Sequence, residues 1–166
     1  TDVDVSGLDG IDYGAGIWSA IPITVQLSGS NTVTGAKGGP LGSDTPNDEG
    51  TVDETTTDDA LFTQSSDDGL SATAPDESGK TEACGVYSRA NLYFTGDGSL
   101  TTTAQTGTIS AALMCLENVT VAENALLTCY AADATFNSLG AAVLKMVDVR
   151  DSTTFLASGG TGGEES

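Results

Sequence analysis

From Cys84 to Ala157 the chain reads as a succession of short, alternating, Thr- and Val-rich segments separated by Gly, Asn and Asp, and no other feature limits its fold so tightly. In Gly85 to Thr95 (GVYSRANLYFT), Val86, Ser88, Ala90, Leu92 and Phe94 fall on one face and Tyr87, Arg89, Asn91 and Tyr93 on the other. Gly96-Asp97-Gly98-Ser99 supplies residues that accept positive φ, and Leu100 to Thr106 follows as a Thr-rich strand, so this stretch predicts a hairpin. Ile109 to Val121 and Leu126 to Phe136 flank Ala122-Glu123-Asn124-Ala125, while Ala141 to Val149 and Ser152 to Ala157 flank Arg150-Asp151. Nearer the start, Ile17 to Leu27 reads as a strand interrupted by Pro22, which suits an edge or a bulge. Seven or eight short strands at even spacing, with no repeat of fixed period visible, predict an all-β fold: a β-sandwich or a jelly-roll single barrel. Val119 to Ala132 has helix-favouring residues, and Asn137-Ser138 suits a cap for a helix from Leu139, but the density of Thr, Val and Tyr outweighs both.

A length of 166 residues suits one domain, 1–166. Residues 1–16 form an acidic N-terminal arm, 36–83 a long acidic loop insertion, and 158–166, with the run SGGTGGEES, a flexible C-terminal tail. The insertion holds twelve of the 24 Asp and Glu residues and three of the four prolines; Ala60-Leu61-Phe62 is a short apolar patch able to anchor it. Against those 24 acids stand five Lys and Arg and no His, for a net charge of −19. Charge of that size destabilises a compact state by self-repulsion, which molar salt screens to about 3 Å. An apolar fraction of 38% is nonetheless enough for a core, so the composition fits folding in a salt-rich solvent.

The same charge argues against direct nucleic acid binding, because five scattered bases cannot neutralise a run of phosphates. No run of 18 apolar residues predicts membrane insertion, and no basic segment followed by an apolar one opens the chain. Without His there is no usual base for a Ser or Cys nucleophile, and GxSxG, P-loop and dinucleotide-binding motifs are missing. Carboxylate pairs for glycoside hydrolysis carry no signal among so many acids. The expectation is a chain that is not an enzyme and has no cofactor apart from a role for Ca2+ or other hydrated cations. Asp2-Val3-Asp4-Val5-Ser6-Gly7 imitates the start of an EF-hand loop, but Tyr13 stands where the bidentate Glu belongs. Asp2, Asp4, Asp9 and Asp12 are therefore candidates for a less regular cation site, with a solvated arm as the plainer reading. Cys115 and Cys129 lie in consecutive strand segments, either as a disulfide or as buried small apolar residues, and Cys84 completes an odd count that matches no zinc spacing. Asn118-Val119-Thr120 is a glycosylation sequon, with Asn118 the acceptor.

Over its full length, and most visibly in GVYSRANLYFTGDGSLTTTAQTGTISAALM, the chain resembles virion structural proteins of halophilic archaeal viruses in composition and pattern. The resemblance implies a capsid protein of a particle from a high-salt environment, located in the virion. Its partners would be copies of itself and other virion proteins, in a homo- or hetero-oligomer with an acidic face toward the brine. A capsid decoration protein, a tail-tube protein and a haloarchaeal cell-surface or filament β-sandwich module are the alternatives. No functional residue is carried over from the resemblance.

Overall fold

The computed structural model describes residues 3–7, 14–37 and 82–163, and the architecture is all-β but parallel. Thirteen strands follow one another: β1 (Val3–Ser6), β2 (Ile17–Ser19), β3 (Ile23–Leu27), β4 (Ser30–Gly35), β5 (Glu82–Ser88), β6 (Leu92–Gly96), β7 (Ser99–Ala104), β8 (Gly107–Cys115), β9 (Asn118–Val121), β10 (Leu126–Ala131), β11 (Ala134–Val143), β12 (Met146–Val149) and β13 (Thr154–Ser158). Three parallel sheets collect every third strand: β1-β4-β7-β10-β13, β11-β8-β5-β2 and β12-β9-β6-β3. The chain thus winds through about four turns of a β-solenoid, one strand per sheet per turn. This corrects the sandwich and jelly-roll barrel expectation, and the hairpin expectation with it. Gly85 to Thr95 spans two strands in different sheets, and Gly96 to Ser99 is a corner leading to a third sheet.

Coils stack in register. Leu92 pairs with Val119, which pairs with Val147, and Leu100 pairs with Leu127, which pairs with Phe155. These partners lie 27 and then 28 residues apart, so a period exists that plain alternation did not reveal. Val3 and Asn31 are also 28 apart, whereas Asn31 and Leu100 are 69 apart. One coil therefore carries 42 surplus residues, spliced between β4 and β5 without disturbing the stacking on either side.

The inward residues form one apolar column system. Leu92, Phe94, Val119, Val121, Leu113 and Leu127 are buried between the sheets, flanked by partly buried Ile23, Val25 and Phe155. Turning from the second to the third strand of a coil requires a left-handed residue, and one stands at the same corner of three coils: Gly96 (φ 101), Glu123 (φ 59) and Asp151 (φ 59). Asp151 Oδ2 accepts a hydrogen bond from Glu123 N at 3.5 Å, linking two of these corners.

The β2-β5-β8-β11 sheet bends midway. Val86 and Leu113 belong to the lumen cluster, and the position just before them is also turned inward, because a Cβ on Gly85 would strike the Thr102 hydroxyl and lie 2.5 Å from the Ala112 carbonyl. Buried Thr102 donates from Oγ1 to Ala112 O at 2.7 Å, giving a backbone acceptor at the bend its partner. Val3–Ser6 is a strand paired with β4, and Thr161 O accepts from Ala134 N at 3.0 Å, so residues 159–163 run along the start of β11. Both helix alternatives fall on strands, β9 to β10 and β11.

Truncating Phe94 to Ala in the middle coil should cost about 3–5 kcal/mol in urea unfolding, whereas Val149→Ala in the last coil should cost under about 1.5 kcal/mol. Thr102→Val keeps the shape but strands the Ala112 carbonyl, for an expected loss of about 1–3 kcal/mol in the same measurement.

Candidate functional surface

Outward positions recur in register like inward ones, and on the five-stranded sheet they form columns of like side chains. On the five-stranded sheet Thr32, Thr101 and Thr128 form one column and Thr34 and Thr103 another. Thr103 donates to Thr34 across adjacent coils, Oγ1 to Oγ1 at 3.3 Å. The adjoining sheet carries Thr24, Tyr93, Thr120 and Asp148 in a column. With strands about 4.8 Å apart, the short hydroxyl side chains of the two threonine columns make a hydrogen-bonding surface that another sheet can approach closely, whereas Tyr93 stands out from the adjoining sheet, 38% exposed. Tyr130 and Leu156 continue the first face as exposed apolar residues.

The last described coil leaves its inward columns open. Val147 is 38% and Val149 46% exposed, although Val119 and Val121, directly beneath them in register, are 0% exposed. Leu144 and Met146 are exposed on the same coil. Open strand edges beside uncovered apolar columns are competent to pair with further β-structure.

Charge is unevenly placed. The described residues hold eight acids (Asp4, Glu82, Asp97, Glu117, Glu123, Asp133, Asp148, Asp151) and four bases (Lys37, Arg89, Lys145, Arg150), a balance of −4 out of −19. Lys145 pairs with Glu117 at 2.6 Å across adjacent coils, and Arg150 pairs with Asp148 at 2.5 Å. Both pairs are exposed, so they add little to stability. Arg150 is held further above its usual range by its hydrogen bond to Asp148.

Among the sequence candidates, Asp4 is exposed on β1, pairing through its backbone with Thr32; Asp2, Asp9 and Asp12 lie outside the described residues. The described residues contain no group of three His, Cys, Asp or Glu side chains able to hold a metal ion. Asn118 starts β9, and its Nδ2 donates to Asn91 Oδ1 at 3.1 Å, engaging the nitrogen a glycan would need. All three cysteines are buried free thiols: Cys115 on β8 and Cys129 on β10 belong to different sheets facing the lumen, and Cys84 lies on β5. Burial pushes the Cys129 thiol up to about 12 and raises Cys84 and Cys115 as well. None of these thiols has the lowered value of a nucleophile. The hydroxyl columns and the open coil were not found by reading the sequence, because assigning them requires the stacking register. The signal was present as Thr-Val-Thr at 32–34 and Thr-Thr-Thr at 101–103.

No family model, no curated protein and no solved structure matches the chain.

A thiol that stays neutral in the folded state while its unfolded counterpart ionises near its ordinary value of 9.0 makes stability fall as pH rises from about 9 toward about 12. Cys129→Ala should flatten that decline, and urea midpoints of the two proteins between pH 8 and about 10.5 measure the difference.

Proposed function

We propose that the chain is a non-enzymatic structural subunit of an extracellular assembly, with a virus particle from a high-salt environment as the setting its composition favours. The observation that carries this reading is the open last coil, where inward Val147 and Val149 remain exposed beside strand edges that pair with no other strand among the described residues. An uncovered apolar column of this kind is stabilised by association, and the hydroxyl face of the five-stranded sheet permits close lateral packing of copies. The nearly neutral solenoid serves as the packing element. The remaining charge sits in the acidic segments outside the described residues, where salt screens it. A cell-surface or filament module is the second reading, favoured by the same open edge, since contact at a rod's end extends it along its axis.

The purified full chain should form higher-order particles by light scattering and negative-stain microscopy in about 3 M salt, and should dissociate and lose its β-type circular dichroism in about 0.1 M salt. Closed shells or tails support the virion setting, and filaments the surface setting. A monodisperse monomer at high salt, or identical melting in both solvents, overturns the assembly and high-salt readings respectively.

A further inference from the structure

The outer face of the five-stranded sheet β1-β4-β7-β10-β13 is nearly free of charge in a chain that carries −19. Tracing the register from inward Val33, Leu100 and Leu127 gives fourteen outward positions among the described residues. Eleven carry a hydroxyl, two are leucines, and one is charged, Asp4 on the edge strand β1. Neither Lys nor Arg stands among them. The adjoining β12-β9-β6-β3 face instead presents the Asp148–Arg150 ion pair. Exposed apolar side chains lie within the hydroxyls: Leu126 is 38%, Tyr130 49% and Leu156 51% exposed, on neighbouring strands β10 and β13. An exposed aromatic ring and aliphatic neighbours with few charges around them have the composition of the centre of a protein interface.

Charge and hydrogen-bonding chemistry identify the partner as a second copy of the chain. Two copies repel each other wherever their acids meet, and this face brings a single carboxylate to the contact, at its margin. A hydroxyl both donates and accepts, so an array of hydroxyls can bond to an identical array. Thr103 and Thr34 already bond in this way within one chain. Five strands about 4.8 Å apart and about 17 Å long give each copy a face whose pairing buries on the order of 1,000 Å² in total, the size at which specific interfaces begin.

We propose that two copies pair through this face, sheet on sheet, about a two-fold axis centred on Thr101, covering Leu126, Tyr130 and Leu156 of each. Thr101 occupies the middle strand and the middle column, so it meets the partner's Thr101 whichever in-plane direction the axis takes. The pairing rests on the assembly reading above and supplies that assembly with a lateral contact, separate from the open last coil.

The test uses the purified full chain in about 3 M salt. The three native thiols are buried, so in a Thr101→Cys variant the added thiol is the accessible one, and diamide oxidation should give a disulfide-linked dimer on a non-reducing gel. Thr24→Cys, exposed on the adjoining sheet, should stay monomeric under the same oxidation. Thr101→Arg, which sets bulk and like charge at the centre of the contact, should weaken pairing at least about tenfold by sedimentation velocity with unchanged β-type circular dichroism, while Thr24→Arg should not. Particles that persist in Thr101→Arg, together with no cross-link in Thr101→Cys, overturn the pairing and leave assembly through the open coil standing. A monomeric unaltered chain overturns both. Dimers that Thr101→Arg separates, with nothing larger in the unaltered chain, uphold the pairing and overturn the higher-order assembly.

Discussion

In-register stacking of one coil on the next is the constraint from which the rest of this structure follows. Parallel pairing places Leu92 over Val119 over Val147, so each inward residue is sealed by the same position of the coils on either side. Lateral packing across the lumen is secondary, because the side chains there are mostly Val, Leu, Ala and Cys and reach only a short way. An interior residue is buried only if the coil above it exists. The exposure of Val149 above a fully buried Val121 is the direct expression of that dependence.

Stacking also limits how the chain may turn. The same corner geometry is kept through three successive coils, so Glu123 takes a left-handed conformation that costs an ordinary residue about 1–2 kcal/mol, between a glycine below and Asp151 above; the first coil has Leu27 at this height and turns at Gly29 instead. The bend of the longest sheet is met the same way: Gly85 leaves room for the neighbouring sheet, and the Thr102 hydroxyl serves the carbonyl at that bend. Forty-two additional residues are tolerated between β4 and β5 because they leave after β4 and rejoin at β5, at the corner between two sheets, and the register on both sides is unaffected.

These features bear on function through the separation of roles. The described coils are close to neutral and carry a hydroxyl-rich face, whereas most of the net charge lies in segments beyond them. The chemistry that the coils offer is that of surfaces and edges. Their thiols are buried and neutral, and the described acids do not converge on a common point.

The alternation of Val86, Leu92 and Phe94 with Tyr87 and Tyr93 already assigned most inward and outward residues, since a strand's two faces are a property of the local backbone. It also made the chain all-β, and the scarcity of bases among many acids was plain from composition. Alternation could not show where one sheet ends and the next begins, because it runs through the corners at Arg89 to Asn91 and Leu116 to Glu117 almost unbroken. Parallel and antiparallel neighbours produce the same local pattern, and the 69-residue interval hid the 27-residue period. Only the tertiary structure decided that successive strands belong to different sheets, that Cys115 and Cys129 sit apart as free thiols, and that Tyr87 and Met114 are buried on an outer face. Each of these depends on which distant residues lie at the same height of the solenoid, information that no local stretch of sequence contains.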